Sequence, residues 1–194
     1  DGGAVRKTSG QDTGAKRAAD SISGYNAAFV GATMYQVIAD SVINRNLEES
    51  KKDWAKVKQE GQQKLDKVAN LADTVEEKRW VDEARQGLKS MISLYENQML
   101  TMLTADSNKD DKQLGERISQ IDGEIDDQAA KISASMEQFA KSMQNEAEAA
   151  DKEFDAAGKA TIRSAIVVGI VILSLLVALS IWILLSVTRP LEEA

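Results

Sequence analysis

The 194-residue chain contains no cysteine and no histidine, and it has a single proline. Without cysteine it can form no disulfide, thiolate metal site or cysteine nucleophile, and without histidine it lacks imidazole acid–base chemistry. Aromatic residues make up only 5% of the chain, which is poor material for a β-sandwich. The 31 acidic residues outnumber the 24 basic ones, and a net charge of −7 argues against a nucleic-acid partner.

One stretch of the chain, residues 164–187, has no charged side chain. A helix of this length extends about 36 Å, which is enough to cross a hydrocarbon core of about 30 Å. We therefore predict a transmembrane helix here, with Trp182 as an interfacial anchor. Arg163 and Arg189 flank the span, so basic residues do not orient it. The size and acidic composition of residues 1–163 predict a water-exposed domain.

Residues 1–14 are rich in Gly, Ser and Thr and show no apolar period, so we interpret them as a linker or frayed start. From residue 15 onward, apolar side chains recur at spacings of three and four, which is typical of a helix. Ile22, Tyr25 and Phe29 begin this first stripe. The run 44–46 (Asn-Arg-Asn) is expected to end the helix, because Asn tolerates left-handed and capping geometry.

Heptad spacing predicts a second and a third helix. The second extends from Leu47 and has Gly61 as its weak position. Asp73 or Thr74 is expected to cap the third helix, whose first turn then holds two glutamates. The third helix should end at residues 105–108, which are rich in turn-forming side chains.

The fourth pattern is the strongest of the four. Ile118, Ile125, Ile132 and Phe139 repeat every seven residues, and nothing breaks the helix before the apolar stretch. Sustained heptads joined by short turns predict an all-α fold, an antiparallel up-down-up-down four-helix bundle. We expect four segments: the start at 1–14, an extracytoplasmic sensor bundle at 15–163, the transmembrane helix at 164–187 and a final segment at 188–194.

The final segment carries a short recognisable motif. Thr188, Arg189, Pro190 and Leu191 follow the apolar stretch directly and resemble the opening of a HAMP domain, the coiled-coil relay of bacterial receptors. Proline suits the first turn of a helix, where its missing N–H costs nothing. Together with the bundle and its long exit helix, the layout of residues 15–194 resembles the sensory half of a methyl-accepting chemotaxis protein.

This resemblance implies a function and a set of partners. It implies a homodimer in the bacterial inner membrane, with residues 1–163 periplasmic, a first transmembrane helix before residue 1 and a cytoplasmic signalling region after residue 194. That region would control a histidine kinase and its coupling protein. The resemblance implies neither enzymatic activity nor a cofactor. Two alternatives remain open: a sensor histidine kinase or cyclase with the same sensory half, and a structural single-pass coiled-coil protein.

The ligand site is expected at the membrane-distal end, because receptors of this kind bind small anions there between helices one and four. The candidates are Tyr35, Arg45, Arg117 and Gln120, since arginine grips a carboxylate with two donors. The ligand would be an organic or amino acid, or a periplasmic binding protein would dock instead. Each candidate also has a plain interpretation as a solvated or core residue. The arginine cluster expected on helix one is missing, because residues 18–44 contain no Lys or Arg.

The sequence gives no catalytic or metal-binding constellation. The carboxylates of helix four lie on its polar faces, as is usual for a solvated helix surface. The run 106–111 (DSNKDD) loosely resembles a calcium loop but lacks its glycine at position six and its closing glutamate.

Overall fold

The computed structural model describes the backbone of residues 2–105 and 112–192, and the side chains of residues 12–104 and 112–181. Nearly all of this part of the chain is helical and none of it is strand, which confirms the predicted all-α class. The helices are α1 (Gly2–Ala28), α2 (Val30–Asn44), α3 (Leu47–Ala69), α4 (Val75–Ser93), α5 (Leu100–Ala105) and α6 (Lys112–Glu192). A π-helical turn, Leu94–Met99, joins α4 to α5. The chain divides into two compact units, residues 13–148 and residues 1–12 with 149–194.

The N-terminal stretch differs from the prediction. Helix α1 begins at Gly2, inside the segment 1–14 that the composition predicts as a linker or frayed start. A glycine within a helix costs only about 1 kcal/mol relative to alanine, so scattered glycines lower helix propensity without forbidding a helix. Ala, Arg, Lys and Gln in the same stretch favour it.

The first predicted helix is interrupted once before its predicted end. Phe29 separates α1 from α2, and its carbonyl oxygen accepts a hydrogen bond from Thr33 Oγ1 at 2.8 Å. The stop at residues 44–46 is confirmed, although the left-handed residue is Arg45 (φ 53°) and neither asparagine. Asn46 precedes α3, and its side-chain amide donates to Glu49 Oε2 at 2.7 Å.

The start of α4 is capped by side-chain hydrogen bonds. Thr74 is its N-cap: the backbone N–H of Glu77 donates to Thr74 Oγ1 at 3.2 Å, and the Thr74 N–H donates to Glu77 Oε2 at 3.2 Å. This reciprocal capping box satisfies two helix-terminal donors, and it confirms the predicted cap.

The π-helical turn changes the register of the predicted third helix. The heptad places Gln98 seven residues after the buried Met91, yet Gln98 is exposed and Met99 is buried in its place. A π turn accommodates one extra residue, which moves the inward-facing position by one. Tyr95 is fully buried within the turn.

Helix α1 presents a different face to the core from the one predicted. Ile22, Tyr25 and Phe29 are 62%, 43% and 64% exposed, so the prediction that they begin the buried stripe is wrong. Ser21 and Gly24 face inward instead. A Cβ added at Gly24 would lie 2.9 Å from Ala140 Cβ, so the small residue allows α6 to approach closely. The face of α1 that packs on α6 is therefore the one whose small residues allow the backbones to approach closely, and it is not the more hydrophobic face.

Contacts to α6 follow an ordered sequence within residues 13–148. Ser21 Oγ donates to the Ala140 carbonyl oxygen at 2.9 Å, and further along, Tyr35 OH donates to Asp122 Oδ2 at 3.1 Å. A Cβ added at Gly31 would lie 2.6 Å from the Ala129 carbonyl oxygen. Residues that come later in α1 and α2 therefore contact residues that come earlier in α6.

Helices α4 and α6 show the same opposed order of contacts. Ser142 Oγ of α6 donates to Glu77 Oε1 at 2.8 Å, and Ser135 Oγ donates to Glu83 Oε2 at 3.2 Å. Between α3 and α4, Arg85 pairs with Asp66 at 2.5 Å. The core between these helices is built from Met, Ile, Leu and Val side chains that are almost completely buried.

Candidate functional site

The apolar stretch of α6 is exposed along its whole described length. Within the part of the chain that the structure describes, α6 is the one helix that is long and apolar enough to cross a membrane. Its large side chains from Ile166 to Ile181 are 52–64% exposed, whereas the core helix of a water-soluble protein would bury one face. Trp182 and the motif Thr188, Arg189, Pro190 and Leu191 lie in the helical backbone, but their side chains are outside the described residues.

Tyr35 is the candidate ligand residue with a defined tertiary contact. Its side chain is half-buried and its hydroxyl donates to Asp122 Oδ2 at 3.1 Å. Burial raises the pKa of Tyr35, and the hydrogen bond to Asp122 raises it further. The phenol therefore stays protonated and pairs with a carboxylate, so an additional anion at this position would meet a negative neighbour.

The other three candidates are all exposed. Arg45 and Arg117 make no ion pair with any described residue, and Gln120 Nε2 donates to Glu124 Oε1 at 3.3 Å on its own helix. No described contact joins any of the three to Tyr35. The predicted anion site thus stays a prediction, and residues 106–111, next to it in the sequence, are outside the described residues.

A buried aromatic pair lies near the α2–α3 junction. The rings of Trp54 and Tyr95 are 4.4 Å apart at an interplanar angle of 56°. Trp54 Nε1 and Lys58 Nζ both donate to Glu96 Oε1, at 2.8 Å and 2.6 Å. Burial alone would raise the pKa of Glu96, but these two hydrogen bonds outweigh it and hold the pKa below its usual value. The π-helical turn therefore places Tyr95 in the core and lets Glu96 bind two donors from α3.

A charged network at the other end of the helices centres on Arg17. Its guanidinium pairs with Asp73, and its Nε lies 2.9 Å from Glu146 Oε2. Arg17 Nη1 also donates to Met143 Sδ at 3.5 Å. The single cation therefore joins α1, the turn before α4 and helix α6.

Glu77 completes this network from a fully buried position. It accepts hydrogen bonds from Ser142 Oγ and from the backbone N–H groups of Asp73 and Thr74. Oxygen atoms of Asp73, Glu77 and Glu146 lie within 4.8 Å of one another, which would suit a small cation. The Arg17 guanidinium already pairs with two of the three carboxylates, and it supplies the positive charge that the cluster needs.

The pKa values of the network shift in opposite directions. The hydrogen bond from Arg17 holds the pKa of Asp73 below its usual value. Burial raises the pKa of Glu146, although Arg17 works against it. No pattern in the sequence singles out Arg17, because an arginine at the edge of a basic-free stretch gives no signal of its partners. Asp73 lies 56 positions from Arg17 along the chain, and Met143 lies 126 positions from it.

Comparisons of the chain with protein-family models, with curated proteins and with solved structures gave no match.

Proposed function

We propose that the chain is the sensory part of a transmembrane receptor similar to the methyl-accepting chemotaxis proteins. Residues 15–163 would lie outside the inner membrane, residues 164–187 would cross it, and residues 188–191 would open a HAMP relay. The observation that carries this proposal is α6 itself. The same 81-residue helix contains the buried positions between Ile121 and Met143 and the exposed apolar stretch.

The proposed bundle has up-down-up-down order, with α1 and α2 acting together as its first helix. The contact sequences support this order, because residue numbers fall along α6 as they rise along α1, α2 and α4. The same opposition relates α3 to α4 and the π-helical turn that follows it, where Asp66 contacts Arg85 and Trp54 contacts Glu96. Short connections at residues 45–46 and 70–74 also favour antiparallel neighbours.

The proposed receptor is a homodimer. The exposed side chains of Ile22, Tyr25 and Phe29 lie three and four residues apart, and they form one apolar stripe along α1 and its junction with α2. A second copy of the chain would bury this stripe. Side chains of this size each contribute about 1.5–3 kcal/mol when they are fully removed from water.

Ligand binding would act on α6 through its contacts with α1 and α2. A ligand shifts an equilibrium between two packings only when it binds one packing more tightly. Gly24 of α1 and Gly31 of α2 bring these helices close to α6, so a displacement of either helix would be transmitted directly to α6. Sliding of packed helices is a motion of small amplitude that such an interface permits. The output in this proposal is control of a cytoplasmic histidine kinase and its coupling protein.

A deletion in α6 tests this proposal. Residues 1–194 would be fused to the cytoplasmic part of a chemoreceptor, and kinase activity would be measured in membranes with and without deletion of Lys159. Removing one residue turns the helix beyond it by about 100° relative to the preceding part. We expect a changed kinase level after deletion and an unchanged level in the matched control Lys159→Ala. Equal activity in all three proteins would contradict the proposal and favour a structural single-pass protein.

A further inference from the structure

Helix α6 makes its last described polar contact to another helix through Glu146. This residue lies two positions before the end of the compact unit of residues 13–148. Its Oε2 lies 2.9 Å from Nε of Arg17 on α1. The hydrogen bonds described further along α6 stay within that helix, as the one from Thr161 Oγ1 to the Ala157 carbonyl oxygen does. A change in the charge of Glu146 would therefore alter α6 close to the point where it leaves this unit.

The surroundings of Glu146 contain more carboxylates than cations. The charged groups of this network on the other elements are Arg17, Asp20, Asp73, Glu77 and Lys78. Asp20 is only 8% exposed, and its Oδ2 is buried without a hydrogen-bond partner in the described chain. Lys78 donates to the carbonyl oxygen of Asp73 at 3.1 Å. Four carboxylates thus share two cations, and crowding of like charges in a partly buried network favours the uptake of a proton.

Hydrogen bonding distinguishes the carboxylates of this network from one another. The hydrogen bond from Arg17 holds the pKa of Asp73 below its usual value. Glu77 is fully buried but accepts three hydrogen bonds, and donors of this kind favour a charged carboxylate. Glu146 has the same guanidinium as its one described cationic partner. Burial raises the pKa of Glu146, and the attraction of Arg17 does not cancel the added repulsion from Glu77 and Asp73.

Glu77 offers a second partner to a protonated Glu146. Oxygen atoms of the two carboxylates lie within 4.8 Å of each other. Among the described residues, Glu77 Oε1 accepts the hydrogen bond from Ser142 alone, whereas a carboxylate oxygen has two lone pairs. An ionised Glu146 repels this oxygen, but a protonated one can donate to it. The Glu146 side chain is 32% exposed, so a proton from solvent can reach it.

We propose that Glu146 is a proton-operated contact between α6 and its neighbouring helices. When Glu146 is ionised it pairs with Arg17 of α1, and when it takes a proton from solvent it releases Arg17 and donates that proton in a hydrogen bond to Glu77 of α4. Arg17 keeps its pairing with Asp73 after the exchange, so the guanidinium is not left without a partner. The exchange of partners stands on these contacts, whereas its use as a signal, with the proton as ligand, rests on the proposed function.

Melting temperatures of the full chain in neutral-lipid nanodiscs between pH 4 and pH 8 test the proposal. The variant Glu146→Gln keeps the length of the side chain and is a permanently neutral donor. Because the folded pKa of Glu146 is raised, its protonation stabilises the fold. This contribution is complete below the unfolded pKa of about 4.3, and it is lost as the pH rises through the folded value. We therefore expect Glu146→Gln to melt about 2–4 °C above the parent at pH 7, and the two to converge toward pH 4.

Two controls locate the proton. Glu148→Gln removes an exposed carboxylate from the same helix, and its melting temperature should follow that of the parent at every pH. Asp20 is the competing site, so Glu146→Gln is also compared within an Asp20→Asn background, where the gap should keep its pH dependence. The proposal is wrong if Glu146→Gln melts below the parent at pH 7, if Glu148→Gln reproduces its gap, or if the gap does not change with pH in either background.

The kinase fusion separates the contact from its use as a signal. In membranes at pH 7, the fused chain with Glu146→Gln should show a different kinase level from the fused parent, and the two levels should converge on acidification. Glu148→Gln should match the parent throughout. A pH-dependent gap in melting temperature together with equal kinase levels for Glu146→Gln and the parent would support the proton-operated contact and contradict its use by a receptor.

Discussion

Two stretches of α6 have different surroundings, although they belong to the same helix. Between Ile121 and Met143, side chains alternate between exposure and complete burial, with burial every three or four residues. Between residues 164 and 181, every side chain is exposed and almost all are apolar. The first pattern is produced by neighbouring helices that cover one face. The second is not covered by any described part of the chain, and its length and composition are those of a helix that could cross a membrane.

In the proposed receptor, apolar residues in the two stretches contribute differently to stability. In the first stretch a side chain such as Phe139 fills a specific space in the core, so its shape matters. In the second stretch, if it crosses a membrane as proposed, lipid chains would adapt to the surface that the helix presents. Total hydrophobicity and length then matter, and individual shapes matter little.

The largest expected effect tests the difference between the two stretches of α6 directly. Phe139→Ala should lower the free energy of unfolding by about 3–5 kcal/mol, because the fully buried ring leaves a cavity. Leu179→Ala removes a side chain that is 57% exposed, and it should change the unfolding free energy by much less. Denaturant titration of the full chain in micelles measures both. Similar losses for the two variants would contradict the assignment of different surroundings.

A smaller effect is expected from two glycines. A Cβ at Gly31 would lie 2.6 Å from the Ala129 carbonyl oxygen and 2.7 Å from its Cα, so Gly31→Ala forces α2 away from α6. We expect it to destabilise by about 1–3 kcal/mol. Gly123→Ala is the matched control on α6 itself, since a Cβ there meets nothing within 4 Å. It should stabilise by about 0.5–1 kcal/mol through helix propensity. Stabilisation by both alanines, seen in the same titrations, would mean that α2 and α6 are not in close contact.

The smallest effect concerns the pH dependence of the Arg17 network. The hydrogen bond from Arg17 lowers the pKa of Asp73 in the folded chain. The stabilisation is therefore present above the unfolded pKa of about 3.9, and it is lost as the pH falls through the lower folded value. Melting temperatures of the parent and of Asp73→Asn should differ at pH 6 and converge toward pH 2. A gap that widens on acidification would contradict the pairing. Asp53→Asn, which removes a carboxylate without an ion pair, is the control.

Local signals in the sequence are sufficient for several features of the fold. The Thr74 cap follows from a hydroxyl residue three positions before a glutamate, and the stop at residues 44–46 follows from two turn-forming asparagines. The heptad of Ile125, Ile132 and Phe139 identifies the buried face of α6 because each residue is apolar and evenly spaced. These features depend on neighbours within a few positions in the chain.

Other features depend on partners that are distant in sequence. The inward face of α1 is set by Gly24 against α6, so the more apolar Ile22, Tyr25 and Phe29 remain outside. Gly61, which we expected to be a weak position, is buried, and a Cβ there would lie 2.9 Å from Val30 Cγ1. No local pattern predicts the π-helical turn, which places Tyr95 and Met99 in the core.

The polar clusters are the least predictable part of the candidate sites. Arg17 contacts residues that are far from it in the sequence. The sequence does not show which of its many carboxylates pair with this arginine. We predicted an anion site from two arginines, and the structure leaves both exposed.

Cysteine labelling tests most directly whether α6 crosses the membrane with residues 13–148 outside. The chain contains no cysteine, so single substitutions Lys141→Cys and Glu192→Cys report without background. We predict that a membrane-impermeant maleimide labels position 141 in intact bacteria and labels position 192 only after the inner membrane is permeabilised. Labelling of both positions in intact cells, or protection of both until permeabilisation, would place the two ends of the apolar stretch on one side and contradict the account.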